Sequence, residues 1–321
     1  MDFSLTDEQK AFRASTYDWA AATLAPEASA RDKEGRWDPD IWKSFGAQGL
    51  AGLPVSEEYG GGGASVMDCV IANEAIAEGG HDGGFNLSMG AHWVIGAVPI
   101  WLHGTEEQKR RWLPGLCDGS MVGAWASTEP EAGSDAAGVQ TKAVRDGHDG
   151  GLNCNKIGST KVPIAGVCNV LARTSEKGAT AFIVDTTNPG FQVGKELDKM
   201  GCRSSPTAEI ALVDCRVPGD SVLGEVDQAL WRVAFECFSW ERTVMIASGI
   251  GGMQGTLNAC IQYEKERKQF GRPIASFQAI AHKLAEMKIR LEACRTAVYR
   301  AAYLKQTGAE HQMEASIAKY L

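Results

Sequence analysis

The stretch Trp125-Ala-Ser-Thr-Glu-Pro-Glu-Ala-Gly-Ser134, continued by Asp135, stands where the chain changes character, from helical periodicity before it to strand-like alternation after it. A short apolar run, Met121 to Ala126, leads in, and Pro130 and Gly133 stop a strand from running on. Thr128 and Ser134 place small hydroxyls on this backbone, and Gly133 lets a ligand approach it closely. Taken alone, such a run reads as a surface β-turn. Its meaning comes from what flanks it.

Upstream, residues 1 to about 118 read as helical. Thr6 and Gln9 form a capping box with Asp7 and Glu8 in the first turn, where the helix dipole favours acids. Asp38-Pro39 opens a second helix with proline in its first turn. Leu53 to Gly63 reads as a loop. Its four consecutive glycines lack the Gly-Lys-Ser/Thr of a phosphate loop, so a flexible turn is expected. Val66–Ala77 and Phe85–Leu102 are further helical runs, the second apolar enough to be buried on most sides.

Downstream, residues 119 to about 222 alternate at Val139–Val144, Val170–Arg173, Thr180–Val184, Phe191–Val193 and Ala208–Val213. Asp-Gly, Asn-Pro-Gly and Pro-Gly-Asp turn signals separate these runs. No helical pattern intervenes, so an antiparallel barrel or sandwich is predicted. From about 226 the helical period returns. Phe277, Ile280, Leu284, Met287, Leu291, Cys294, Val298 and Ala301 keep a spacing of three and four, the seam of a bundle helix about 45 Å long. Thr243 to Gly255 imitates a dinucleotide glycine loop, but its third glycine falls one residue late. It reads as a helix whose small residues allow close packing. The chain is therefore α+β, with domains at 1–118, 119–225 and 226–321.

A net charge of −8 over 321 residues, with no basic stripe, argues against nucleic-acid binding. The nine cysteines include no C-x-x-C pair, and the six histidines show no ligand spacing, so neither a disulfide framework nor a metal site is expected. Cys69, Cys237, Cys260 and Cys294 fall in apolar helical patterns. The acidic start Met1-Asp-Phe-Ser is no secretory leader, and a cytoplasmic setting is the expectation.

Five words in one order resemble a single family: Glu57-Glu-Tyr-Gly-Gly61, Gly104-Thr-Glu-Glu-Gln-Lys109, the stretch quoted above, Arg267-Lys-Gln-Phe-Gly271 and Ala315-Ser-Ile-Ala-Lys319. The chain is similar to the acyl-CoA dehydrogenases from its first residue to its last. The resemblance implies an N-terminal helical domain, a middle β-domain and a C-terminal four-helix bundle. The bundle is incomplete here, since the chain stops at Leu321 inside a helical pattern and family members continue through two more helices. It implies an oxidoreductase of lipid metabolism that uses FAD, takes an acyl-CoA (an acyl-carrier-protein thioester as alternative) and passes electrons to electron-transferring flavoprotein. It also implies a homo-oligomer, a dimer or dimer of dimers, or pairing with a related subunit. A non-catalytic, partner-dependent subunit and a flavin oxidase or monooxygenase are the rival readings.

The family reaction needs a carboxylate to take the α proton, with the flavin on the opposite face of the substrate. Long-chain and isovaleryl-type members carry that base at the position matching Glu241, and burial beside flavin and acyl chain would raise its pKa. Four, eight and eleven residues on, Met245, Gly249 and Gly252 form a face of little bulk where an acyl chain fits. Trp125, Ser127, Thr128, Gly133 and Ser134 match flavin-binding positions, Ser134 also lying near the CoA arm. Arg267, Gln269, Phe270, Phe277 and Gln278 match segments that reach the FAD of a neighbouring subunit. Ser239, Arg242 and Gly249 match substrate-side positions. The plainer reading of Arg267 is a charged turn shared with Glu264 and Glu266. One departure stands out. The family pattern Lys-x-Trp/Phe-Ile/Val-Thr/Ser-Asn is replaced by Thr160-Lys-Val-Pro-Ile-Ala165, and Val162 and Ile164 are assigned to the lost aromatic and hydroxyl.

Overall fold

The fold is given by a computed structural model that describes residues 4–146 and 149–321. Residues 1–3, on which the leader reading rests, and Gly147 of one Asp-Gly turn signal lie outside the described residues.

In chain order the first helices are α1 (Asp7–Thr23), α2 (Ala28–Glu34), α3 (Pro39–Ala47), α4 (Val66–Gly80), α5 (Gly83–Ala91), α6 (Val98–His103) and α7 (Glu106–Cys117). The strands are β1 (Gly123–Ala126), β2 (Lys142–Asp146), β3 (Asp149–Thr160), β4 (Val167–Arg173), β5 (Ala179–Asp185), β6 (Phe191–Glu196), β7 (Thr207–Val217) and β8 (Val222–Leu223). Helices α8 (Phe235–Trp240) and α9 (Ala247–Glu266) follow, then a hairpin of β9 (Lys268–Gln269) and β10 (Arg272–Pro273), and finally α10 (Gln278–Gln306) and α11 (Gln312–Tyr320).

Local chemistry sets the helix starts. At α1 the Gln9 N–H donates to Thr6 Oγ1 at 3.1 Å and the Thr6 N–H donates back to Gln9 Oε1 at 3.2 Å, the reciprocal box read from sequence. Asp38 caps α3 through Asp40 N and Ile41 N, with Pro39 in the first turn. The glycine loop before α4 is more ordered than expected. Gly62 N bonds Gly52 O at 3.1 Å and Gly63 N bonds Val55 O at 2.8 Å. A Cβ on Gly61 would stand 2.0 Å from Val55 O, so close backbone approach, not flexibility, requires that glycine.

Packing cuts across the expected 1–118, 119–225 and 226–321 division. One compact unit comprises residues 29–64 and 87–241; the other takes the chain up to residue 28 with 65–86 and 242–321.

The first unit is built on one sheet of order β6-β7-β3-β2-β4-β5-β8, with β1 paired to β4. The neighbours are antiparallel except β1–β4 and the single β2–β4 rung, which are parallel. The sheet is thus not wholly antiparallel. Its longest strand, β3, is absent from the sequence reading because Asp149-Gly150-Gly151 and Gly158 resemble turns and its outer positions are polar. One face of the sheet buries Leu152, Val170, Phe182, Ile210 and Leu212. The other buries Trp125, Leu171 and Ile183 against Trp112, Leu116 and Val233.

The second unit is helical. The middle of α4, from Cys69 onward, is buried on every side and packs on α1, α9 and α10. Gly251 and Gly255 of α9 permit this: a Cβ there would fall 2.1 Å from Glu74 O and 2.7 Å from the His81 ring. Close packing thus accounts for Gly251 and Gly255 of the glycine run. The α10 seam is buried only in its second half, at Leu291, Cys294, Val298 and Ala301; Ile280, Leu284 and Met287 are half-exposed. At 29 residues α10 is longer than α4 and α9, with 15 and 20, and its stripe outruns its partners. The segment Gly83–His103 is long and apolar enough to cross a membrane, yet 78% of its most apolar window is buried in the protein.

Candidate active site

Strand alternation decides what the opening stretch can offer. Along β1, Ala124 and Ala126 enter one core and Trp125 the other, where its indole is 8% exposed. The Trp125 side chain therefore packs in the core. Beyond β1 the chain turns outward: Ser127 is half-buried, and Thr128, Gly133 and Ser134 are exposed. Among the described residues the Ser127, Thr128 and Ser134 hydroxyls have no recorded partner, and a Cβ on Gly133 would meet nothing within 4 Å.

Under this loop lies a buried ion pair to which the sequence reading gave no role. Lys156 Nζ of β3 contacts Glu129 Oε1 at 2.7 Å, with both side chains almost fully enclosed. Glu129 also accepts the Gln140 N–H at 2.6 Å, the Thr141 N–H at 3.0 Å and the Thr141 hydroxyl. Burial alone would raise the Glu129 carboxyl, but the Lys156 ammonium and these donors prevail and hold it below its ordinary value. Burial lowers Lys156, with Glu129 pulling the other way. A signal existed: Lys156 follows Leu152 and Cys154 at the inward-facing period of β3, where a cation demands a carboxylate.

The turn after β3 starts at Lys161, which has φ 67° and an enclosed side chain whose Nζ donates to Gly123 O at 2.6 Å. The Gly123 N–H donates to His92 Nδ1 at 3.1 Å, and His92 Nε2 meets Leu116 O at 2.9 Å. Burial, then the Lys161 charge, pushes His92 down to about 3, so the ring is neutral and carries its proton on Nε2 toward Leu116 O. Both ends of the Gly123 peptide are thereby held at the start of β1.

Val162 requires a correction. Its side chain is 1% exposed inside the sheet core, so it does not line a ligand surface. Counted from Lys161, the six-residue family pattern puts Pro163 at the aromatic and Ala165 at the hydroxyl position. Pro163, Ile164 and Ala165 are half-buried on the turn. The loss of ring and hydroxyl stands, but at neighbouring positions.

Glu241 is half-exposed and begins a π-helical turn, Glu241–Met245, a distortion often found at functional positions. Ser239 is buried at 2% and Arg242 is exposed. Further along, Gly249 and Gly252 have nothing within 4 Å of a built Cβ, unlike Gly251 and Gly255. One helix thus presents an open glycine face and a packed one.

In the helical unit, Arg267 and Gln269 are exposed beside the tight β9–β10 hairpin. Phe270 at its tip is 92% exposed with φ 54°, followed by Gly271 at φ 78°. Phe277 is half-buried, its ring 6.0 Å from Phe270 and 4.3 Å below the Arg272 guanidinium; Gln278 is exposed. No ion pair of Arg267 with Glu264 or Glu266 is recorded among the described residues, so the charged-turn reading gains no support. In the β unit the hydroxyls without a partner among the described residues, beside an open glycine, are donors suited to an acceptor-rich cofactor edge. In the helical unit the Arg267 guanidinium, unpaired among the described residues, is suited to a phosphate.

Family models match almost the whole chain: "Acyl-CoA dehydrogenase, N-terminal domain" at residues 6–120, the middle domain at 124–215 and the C-terminal domain at 231–321. A short-chain specific acyl-CoA dehydrogenase of Megasphaera elsdenii is 38% identical over 328 residues, 99% of this chain and 85% of that protein. The mitochondrial isovaleryl-CoA dehydrogenase of Oryza sativa subsp. japonica is 40% identical over 304 residues, 92% of this chain and 73% of that protein. The solved FAD complex of PigA superposes with TM-score 0.94 at 30% identity, covering 99% of this chain and 84% of the other.

Proposed function

The chain belongs to the acyl-CoA dehydrogenase family of oxidoreductases acting on CH–CH donors, and on that premise we propose that it converts an acyl-CoA to its trans-2-enoyl-CoA with Glu241 as base. The cofactor is FAD, as in the family; bound here, it would supply the acceptor for the β hydride. The Glu241 carboxylate takes the α proton, so the thioester loses one proton and one hydride and a C=C bond forms. Ser127, Thr128, Gly133, Ser134 and the Pro163–Ala165 turn would hold the flavin. Arg267, Gln269, Phe270, Phe277 and Gln278 serve a neighbouring subunit's FAD in a homo-oligomer. Ser239, Arg242 and the open face at Gly249 lie on the substrate side. Electron-transferring flavoprotein takes the electrons, and the setting is cytoplasmic.

The observation that carries this reading is Glu241 itself: a half-exposed carboxylate opening a π-helical turn. A second reading, a partner-dependent subunit, is favoured by the Pro163–Ala165 turn, which offers neither ring nor hydroxyl. Anaerobic titration of the FAD-supplemented chain with butyryl-, isovaleryl-, octanoyl- and palmitoyl-CoA separates them. Bleaching of the flavin by one substrate, slowed about 10²–10⁴-fold in Glu241→Gln, is expected. Flavin that stays oxidised with all four would favour the partner subunit or a carrier-protein thioester. Oxygen consumption without an external acceptor would point to an oxidase.

A further inference from the structure

The parallel ladder between β1 and β4 ends at the rung Ala126↔Val170. The next residues on the two strands are Ser127 and Leu171, and Lys156 Nζ donates to both their carbonyls, at 3.1 and 2.8 Å. An ammonium therefore stands where the next rung would be. Its third proton goes to Glu129 Oε1, so all three donors are used. One residue on, the Ile157 N–H donates to Thr128 O at 3.0 Å, moving the chain from β4 to β3. Glu129 and Ala132 then exchange backbone hydrogen bonds of 3.0 and 3.2 Å, closing a turn around Pro130. The Glu129 carboxylate meanwhile ties this turn to Gln140 and Thr141, the residues just before β2.

We propose that the buried Glu129–Lys156 pair is a positioning device for the cofactor. It ends the β1–β4 ladder, draws the Ser127 carbonyl inward beside the backbone bond that holds Thr128 O, and leaves the Ser127 and Thr128 hydroxyls as the groups that meet the flavin. This rests on the reading of the Ser127–Ser134 loop as a FAD site and assigns the placement of that loop to two residues that touch no ligand. A backbone ladder could not do this, because a further rung would carry Ser127 and Thr128 along β4 and Pro130 has no N–H to continue it. An apolar filling of the same space would leave the Ser127 and Leu171 carbonyls without donors.

The test compares Lys156→Met, Glu129→Gln and Glu129→Leu/Lys156→Met with the wild type. FAD affinity is followed by quenching of flavin fluorescence, and thermal stability is measured on the FAD-free chain. Each single variant is expected to weaken FAD binding tenfold or more. The apolar double variant leaves no buried charge unpaired and is expected to be more stable than Lys156→Met, though less stable than the wild type because the Ser127 and Leu171 carbonyls lose their donor, while its FAD affinity stays tenfold weak. A double variant that binds FAD as the wild type does would overturn the proposal, because the pair would then be structural filling. An unchanged dissociation constant in Lys156→Met would overturn it equally. Should Lys156→Met fail to fold, Thr141→Val removes one donor and keeps both charges. A threefold weakening is expected there, and no change would count against the device. Failure of the wild type to bind FAD would sink the FAD-site reading instead, and shows before any variant is made.

Discussion

Two buried carboxylates, Glu129 in the β unit and Glu74 in the helical unit, have similar chemistry and opposite surroundings. Glu129 is joined to Lys156, 27 residues away, and lies under a loop with unpartnered hydroxyls. Glu74 sits on α4 with Arg295 Nε at 3.1 Å and the Tyr299 hydroxyl at 3.0 Å, both on α10, and Arg13 of α1 at 3.8 Å. Arg295 continues to Gln254 of α9 at 3.0 Å, and Glu78, one turn along α4, binds Arg13 and Asn258. Four helices meet in that network and every polar end points into it. A buried charge among helices fixes a core. A buried charge at the end of a strand ladder fixes an edge, and an edge is where a ligand can be met.

The comparison is broken most directly at Glu74. Replacing it with leucine takes the buried carboxylate from Arg295, which keeps Glu292 and Gln254, and the acceptor from the Tyr299 hydroxyl, and should cost about 3 kcal/mol in urea unfolding of the FAD-free chain. FAD affinity, corrected for the unfolded fraction, should hardly move. If Glu129→Gln proved the more destabilising of the two, or Glu74→Leu the more harmful to FAD binding, the assignment of core and edge would be reversed.

A smaller effect sharpens the same contrast within α9. Gly251→Ala drives a methyl onto the Glu74 carbonyl, 2.1 Å away, and should cost about 1–3 kcal/mol. Gly252→Ala enters open space and should be neutral or stabilising by about 0.5–1 kcal/mol. Equal effects on melting temperature would show that the two glycines do not face differently. Slower turnover in Gly252→Ala without loss of stability would support the acyl-chain face.

What was legible in the sequence is whatever is decided within a few residues. The Thr6–Gln9 box, the Asp38 cap and α10 are local, and the structure has them where the spacing puts them. The family words carried the architecture. The supports of the site were not legible, because each joins distant segments: Lys161 reaches Gly123 across 38 residues and Arg295 reaches Glu74 across 221. Lys156 was hidden for a second reason, since the glycines of β3 disguise the strand that aims it inward. Which face Trp125 and Val162 present was not legible either: both side chains are buried in the core. In the 3-10 turn after β3 the Val162 side chain turns into the sheet core while the neighbouring Pro163 is half-buried.

The smallest expected effect is one of pH, and it isolates the charge on Glu129 from its packing. Its folded-state value lies below the ordinary one, since Lys156 and the Thr141 and Gln140 donors outweigh burial. A depressed carboxyl contributes stability that is complete above its unfolded value, about 4.3, and is lost as pH falls through the folded value. The stability gap between wild type and Glu129→Gln should therefore be level from neutral pH down to about 5 and close below about 4. In the FAD-free chain, melting curves of the two proteins at each pH give this gap directly. A gap that stays constant to pH 3 would mean that shape and hydrogen bonding, not charge, hold the loop. The edge would then differ from the helical core in location alone.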